Sequence, residues 1–167
     1  MLSNKTNLCL NGLIFAGTAL VTVAAQSSEP NVADEYMKVY ANFDVNKLET
    51  FYSKNAKFKD PTSEMWGEYA WNIDGKEHII KRMKSFFSGF ESSSAKYIIR
   101  EKYASAGHHV YTGKVKFSFT KEGVLETTCM AITTIVSVKG DKVVEHRDYI
   151  DYDNLESSKK TGDQNCS

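Results

Sequence analysis

The sequence lacks an excess of charge of either sign. Its 167 residues carry 21 Lys plus Arg and 21 Asp plus Glu, a formal net charge of +0. It also lacks any basic cluster with interleaved aromatics, so nothing in it points to nucleic acid as a partner. Three cysteines, Cys9, Cys129 and Cys166, form no CxxC pair. The four histidines, His78, His108, His109 and His146, fall in no HExxH or other metal-ligand spacing. His108 and His109 are adjacent, and a strand would send them to opposite faces. The sequence therefore calls for no metal and no cofactor. Repeats and low-complexity tracts are also absent.

Long apolar runs are missing everywhere except near the N-terminus, from about Leu8 to Ala24. With Lys5 before it and Val23-Ala24-Ala25 ahead of Gln26, this run reads as a secretory signal peptide over 1–25. The alternative is an uncleaved anchor, because the run approaches the ~17–25 residues of a membrane span. Residues 26–31 then form a linker, 32–153 one domain and 154–167 a polar, frayed tail. The expected protein is secreted or periplasmic, with no stable membrane insertion once the signal is removed. Export would permit a Cys129–Cys166 bond. The simpler reading is a buried free Cys129 and a loose Cys166.

What the sequence does have is aromatics, at 12 % of residues, in clear patterns. Val32, Tyr36, Val39 and Tyr40 recur at helical spacing up to about Asn42. Asp44 can cap a second short helix that turns Leu48, Phe51 and Tyr52 inward. Ala56–Lys59 reads as a short strand, closed by Asp60-Pro61-Thr62-Ser63, where Pro61 holds Asp60 extended. Residues 65–73 are ambiguous. Asp74 then caps a third helix, with Glu77 in capping-box position and a stripe of Ile79, Ile80, Met83, Phe86, Phe87 and Phe90. Four strands follow, 95–104, 109–119, 124–138 and 142–152. The turns between them are short and force an antiparallel meander.

The last of these strands carries the chemistry. In Val143-Val144-Glu145-His146-Arg147-Asp148-Tyr149-Ile150-Asp151-Tyr152, ionisable groups stand at nearly every second position. Whichever face turns inward brings a carboxylate toward the core. Buried carboxylates are rare unless paired, hydrogen-bonded or functional. A polar pocket in an apolar fold is the implication. Asp60, Asp148, Tyr36 and His146 are the catalytic candidates, and Trp66, Trp71, Phe58 and Tyr40 the ligand-binding ones. Against each stands a structural role, such as an Asp-Pro turn for Asp60 or an ion pair with Arg147, Lys114 or Lys116 for Asp148.

The chain resembles the nuclear transport factor 2-like superfamily, in its SnoaL-like and ketosteroid-isomerase-like branch. The likeness rests on Tyr36 through Asp60-Pro61, on Asp74-Gly75-Lys76-Glu77, and on Gly140-Asp141-Lys142-Val143 running into Arg147-Asp148-Tyr149. It spans nearly all of 32–152. It implies an α+β fold, a curved mixed-to-antiparallel sheet wrapped around N-terminal helices into a cone enclosing a pocket. In ketosteroid isomerases the Asp of the Asp-Pro motif is the general base, which matches Asp60, and a helical Tyr of the oxyanion hole matches Tyr36. The second donor, a protonated Asp, falls near Thr133, and Ile132, Thr133 and Thr134 supply no carboxyl. That departure argues against steroid isomerase chemistry. Limonene epoxide hydrolase resembles the chain at Asp148, but its other Asp and its Arg read Lys114 and Lys116 here, which rules that activity out. SnoaL-like cyclases use a late-strand Asp, in the region of Asp148.

Three functions remain open. One is an acid/base isomerase or cyclase acting on a small apolar carbonyl compound. Another is a binding domain with the same pocket and no turnover. The third is a dimerisation or interaction module presenting the Val115-Phe117-Phe119 stripe, with Lys114 and Lys116 on the opposite, solvated face. A homodimer is the expected assembly.

Overall fold

The computed structural model describes residues 31–153 and the backbone of 160–161. The expected signal peptide, the linker up to residue 30 and the rest of the tail lie outside the described residues.

Polar caps start the first two helices. The Asn31 side chain accepts from the Ala33 amide at 3.0 Å and opens α1 (Val32–Tyr40), with Asp34 and Glu35 in its first turn. Asp44 caps α2 (Val45–Phe51), accepting from the Lys47 amide at 3.1 Å. Strand β1 (Tyr52–Asp60) is longer than the expected Ala56–Lys59. It ends where Asp60 caps a 3-10 segment (Pro61–Tyr69), with Pro61 in the first turn, where its missing N–H leaves no bond unmade. The ambiguous stretch thus becomes this segment followed by β2 (Trp71–Asp74).

Helix α3 (Lys76–Ser88) forms, but its expected capping box does not. Asp74 is taken up in β2, opposite Lys57, and the cap residue is Gly75 at φ 91 with no side-chain bond. That backbone angle is open to glycine and strained for other residues, so glycine makes the corner from strand to helix.

The meander is β3 (Ser92–Ser105), β4 (His108–Lys121), β5 (Val124–Lys139) and β6 (Lys142–Ile150). The sheet order is β2-β1-β6-β5-β4-β3, antiparallel throughout except for the parallel pair β1–β6. The sheet is curved and unclosed. A short β7 (Lys160–Thr161) pairs with Glu126 and Thr127 of β5, beyond the point where β6 ends. Cys129 is disulfide-bonded, which corrects the expectation of a free thiol.

Two irregularities of register shape the interior. Val138 pairs with Val143 and Ser137 with Glu145, so β6 carries one extra residue near Val144. Val143 and His146 are therefore both fully buried despite their odd spacing. Opposite Gly113, β3 carries Arg100 as an extra residue between Ile99 and Glu101. The helices pack on the inner face of the sheet, where Tyr36, Leu48 and Ile79 meet Ala56, Tyr111 and Val136 in one core.

Candidate functional site

Asp148 sits on β6 directly opposite Thr134 of β5 and is 2 % exposed. A carboxylate this deep needs donors. Thr134 Oγ1 donates to Oδ1 at 2.5 Å, and Tyr40 of α1 donates to Oδ2 at 2.8 Å. Tyr97 of β3 donates in turn to Thr134 at 2.9 Å. Arg147, a candidate ion-pair partner on sequence grounds, points the other way and pairs with Glu145. The Asp148 site is therefore built from hydroxyls.

Behind Asp148 lies a second layer. His146 is fully buried and stacks on Phe58 with 4.3 Å between centroids and 7° between planes. Its Nδ1 meets the Tyr36 hydroxyl at 2.8 Å, and Tyr36 meets the Tyr52 hydroxyl at 2.5 Å. Its Nε2 lies 2.9 Å from Asp148 Oδ2 but off the line of a good hydrogen bond, a close charge contact and not an aligned bond. The Tyr36 hydroxyl thus links Tyr52 to the Nδ1 edge of the imidazole, whose Nε2 edge faces the carboxylate. Burial raises the Tyr36 hydroxyl well above its ordinary pKa, with Tyr52 and Tyr40 adding to the effect. Burial also raises Tyr40, followed by the charge of Asp148 and the bond to it. Both stay protonated donors.

Asp60 forms the other pole. Its Oδ1 accepts from the Thr62 amide at 3.0 Å and the Thr62 hydroxyl at 2.5 Å, and its Oδ2 accepts from Tyr152 at 2.6 Å. Burial pushes its carboxyl above the ordinary 3.8. The charge of Asp148 acts the same way, and the bonds from Thr62 and Tyr152 oppose it without cancelling it. A raised carboxyl favours the protonated form in the fold. Its contribution to stability is full below the unfolded value and is lost as pH rises through the folded value. Asp60→Asn keeps the shape and removes the titration. The stability of D60N relative to wild type should therefore grow as pH rises from about 4 toward 7. Urea midpoints across that range test this, and a gap that shrinks with rising pH would show a carboxylate held low instead.

Both carboxylates line one cavity of about 290 Å³. Among the described residues its wall holds no Lys and no Arg. Tyr40, Phe58, Trp66 and Trp71 all line it, together with Tyr152 and Tyr97. Trp66 is partly exposed and packs on Tyr152 at 4.4 Å, so it covers the Asp60 end. Tyr36 and His146 do not line the cavity. They stand behind its wall and hold Asp148. Val115, Phe117 and Phe119 line it as well. That places the apolar stripe of β4 inside the molecule, so it is not available as an outer docking face. Among the described residues no metal-binding cluster is present, and no helix is long and apolar enough to cross a membrane.

Sequence reasoning missed Thr134, Tyr97 and Tyr52, which take their places from strand register and packing. Tyr152 did carry a signal, since strand alternation puts it on the Asp148 face.

No protein-family model matches the chain, and no curated protein matches its sequence. Solved structures do match its fold. A Shewanella putrefaciens protein classed as a SnoaL-like polyketide cyclase is 22 % identical with a TM-score of 0.67, over 88 % of this chain and 97 % of that one. A Catenulispora acidiphila protein of ketosteroid isomerase-like fold, in complex with trimethylamine, is 13 % identical with a TM-score of 0.59, over 77 % and 92 %. TerC, co-crystallised with polyporic acid, is 10 % identical with a TM-score of 0.57, over 76 % and 94 %. The chain has the nuclear transport factor 2-like fold, in the form shared by SnoaL-like and ketosteroid isomerase-like proteins.

Proposed function

We propose that this nuclear transport factor 2-like chain binds a small, largely apolar carbonyl compound in its cavity and moves a proton on it, as a cofactor-free isomerase or cyclase working after export. The observation that carries the reading is the presence of two carboxylates in one aromatic cavity whose wall, among the described residues, holds no Lys or Arg. An inert binding site for an apolar molecule gains nothing from two desolvated carboxylates. A proton-transfer site needs at least one, with its proton affinity raised toward the working pH. Asp60 fits the base, since desolvation raises its affinity for a proton. It would take a proton from the carbon beside the carbonyl and leave an enolate. As Asp60 takes the proton, Tyr152 turns its single O–H from that carboxyl to the developing oxyanion, while the Tyr40 O–H stays on Asp148. The proton then returns to a different carbon in an isomerase. In a cyclase, the enolate carbon attacks a second carbonyl of the same molecule, whose C=O opens to an alkoxide that takes the proton back from Asp60. Asp148, held by Tyr40 and Thr134 and backed by His146 and Tyr36, is the partner carboxylate. Trp66, Trp71 and Phe58 grip the apolar body. The proposal includes a homodimer formed on the outer sheet face, which no helix covers among the described residues.

The trimethylamine bound by the Catenulispora protein favours a second reading. Aromatic faces with carboxylates between them also suit an organic cation held without turnover. One experiment separates the two. The full chain is incubated in D2O with enolisable apolar ketones, and loss of the α-proton signal is followed by NMR. The first reading expects exchange well above background, reduced about 100-fold or more in both D60N and D148N. Exchange at background, with tight binding of an apolar tertiary amine, would leave the second reading in its place.

A further inference from the structure

We propose that Thr128 is a second anchor in the cavity, whose hydroxyl hydrogen-bonds a polar group at the end of the ligand remote from Asp148. This rests on the cavity being a small-molecule site, and it adds that the ligand is elongated and polar at both ends.

Three observations carry it. First, Thr128 is 2 % exposed and lines the cavity, and its hydroxyl has no hydrogen-bond partner among the described residues. The great majority of buried hydroxyls are paired, so an unpaired one calls for a partner that is not part of the chain.

Second, its surroundings are apolar. Thr128 stands opposite Phe117 on β4, which is itself opposite Ala95 on β3. Phe43 lies 5.6 Å from Phe117, Phe90 lies 5.0 Å from Phe119, and Phe43 packs on Phe87 at 4.4 Å. A valine, with the same branched shape, would stand in this box of rings without desolvating an oxygen. The hydroxyl serves no packing purpose there.

Third, the anchor stands well apart from Asp148 along β5. Along β5 the cavity side runs Thr128, Met130, Ile132 and then Thr134, the residue that binds Asp148. Six residues of straight strand span about 20 Å, which the curvature of the sheet shortens. A ligand with a single polar end could not use both sites. One with a carbonyl near Asp60 and a hydroxyl or second carbonyl at its far end could.

The test uses the full chain and two probes that differ only at that far end, 4-phenylcyclohexanone and 4-(4-hydroxyphenyl)cyclohexanone. Affinities are measured by calorimetry for wild type and Thr128→Val. In wild type the added hydroxyl should tighten binding about five-fold, the worth of one ordinary hydrogen bond. In T128V that gain should vanish while the parent ketone binds as before. T128V should also melt at or above the wild-type temperature, because it removes an unpaired buried hydroxyl. A five-fold gain that survives in T128V, or no gain in wild type with the parent bound, overturns the anchor and leaves the cavity reading standing. A clear loss of melting temperature in T128V overturns it too, since the hydroxyl would then be serving the fold. Failure of both ketones to bind wild type overturns the anchor and the cavity reading together.

Discussion

Gly113→Ala is expected to lose about 3 kcal/mol or more of folding stability, a large part of the ~5–15 kcal/mol a domain of this size holds. A Cβ at this position would lie 2.0 Å from the Ile98 carbonyl oxygen and 3.2 Å from the Arg100 amide nitrogen. Both are backbone atoms, so neither can swing aside as a side chain would. The cause is the bulge on β3, where Arg100 is extra and the chain leans over Gly113. Strand β3 must part from β4 to admit the methyl. Those two strands supply Ala95, Tyr97, Val115 and Phe117 to the cavity wall, so ligand binding should fall with stability. Gly123→Ala is the control. Nothing lies within 4 Å of a Cβ there, and only its φ of +74 opposes the change, at about 1–2 kcal/mol. Urea unfolding of the two variants decides the matter. A G113A midpoint no lower than that of G123A would mean that the bulge yields at little cost.

That bulge marks a limit of what the chain discloses in advance. The meander was legible because its turns contain Gly107, Gly123 and Gly140, all at positive φ. Helix α3 was legible from its apolar stripe. The failed capping box at Asp74 shows why local pattern is insufficient. The residue had the right chemistry for a cap, but pairing with Lys57 in the sheet claimed it first. The site follows the same division. Asp60 and Asp148 stand out in the sequence because carboxylates there are costly. Their meeting in one cavity depends on the parallel pairing of β1 with β6, which sets Phe58 beside His146. Ninety residues separate those strands' ends, and no local signal announces the pairing. Alternation marked Val115, Phe117 and Phe119 as one apolar face, but the side on which the sheet closes decides whether that face is a surface or a cavity wall. Tyr36 and His146 share the site's direction without sharing its depth, which only packing determines.

His146→Ala is expected to cost about 3–5 kcal/mol, and His146→Phe about 1–3 kcal/mol. The alanine variant empties the space between Phe58 and Tyr40, whose rings lie 4.3 and 4.6 Å from the imidazole, and also removes both nitrogens. The phenylalanine variant keeps the stacked ring and removes only the nitrogens. Tyr36 then retains Tyr52 as its partner, and Asp148 retains Tyr40 and Thr134, so neither group is orphaned. The difference between the variants therefore measures packing, and the remainder measures the polar chain. Chemical denaturation gives both values. Equal losses in the two variants would mean that the polar chain supplies nearly all of the effect. A loss below about 1 kcal/mol in H146A would show that the buried chain holds nothing together. Proton exchange on a bound ketone adds a reading that stability alone cannot supply. If His146 positions Asp148 for chemistry, H146F folds and binds yet exchanges several-fold more slowly, with a shifted pH profile. If its role is only structural, folded H146F exchanges at the wild-type rate with an unchanged profile. In that case Asp148 is fixed well enough by the hydroxyls of Tyr40 and Thr134.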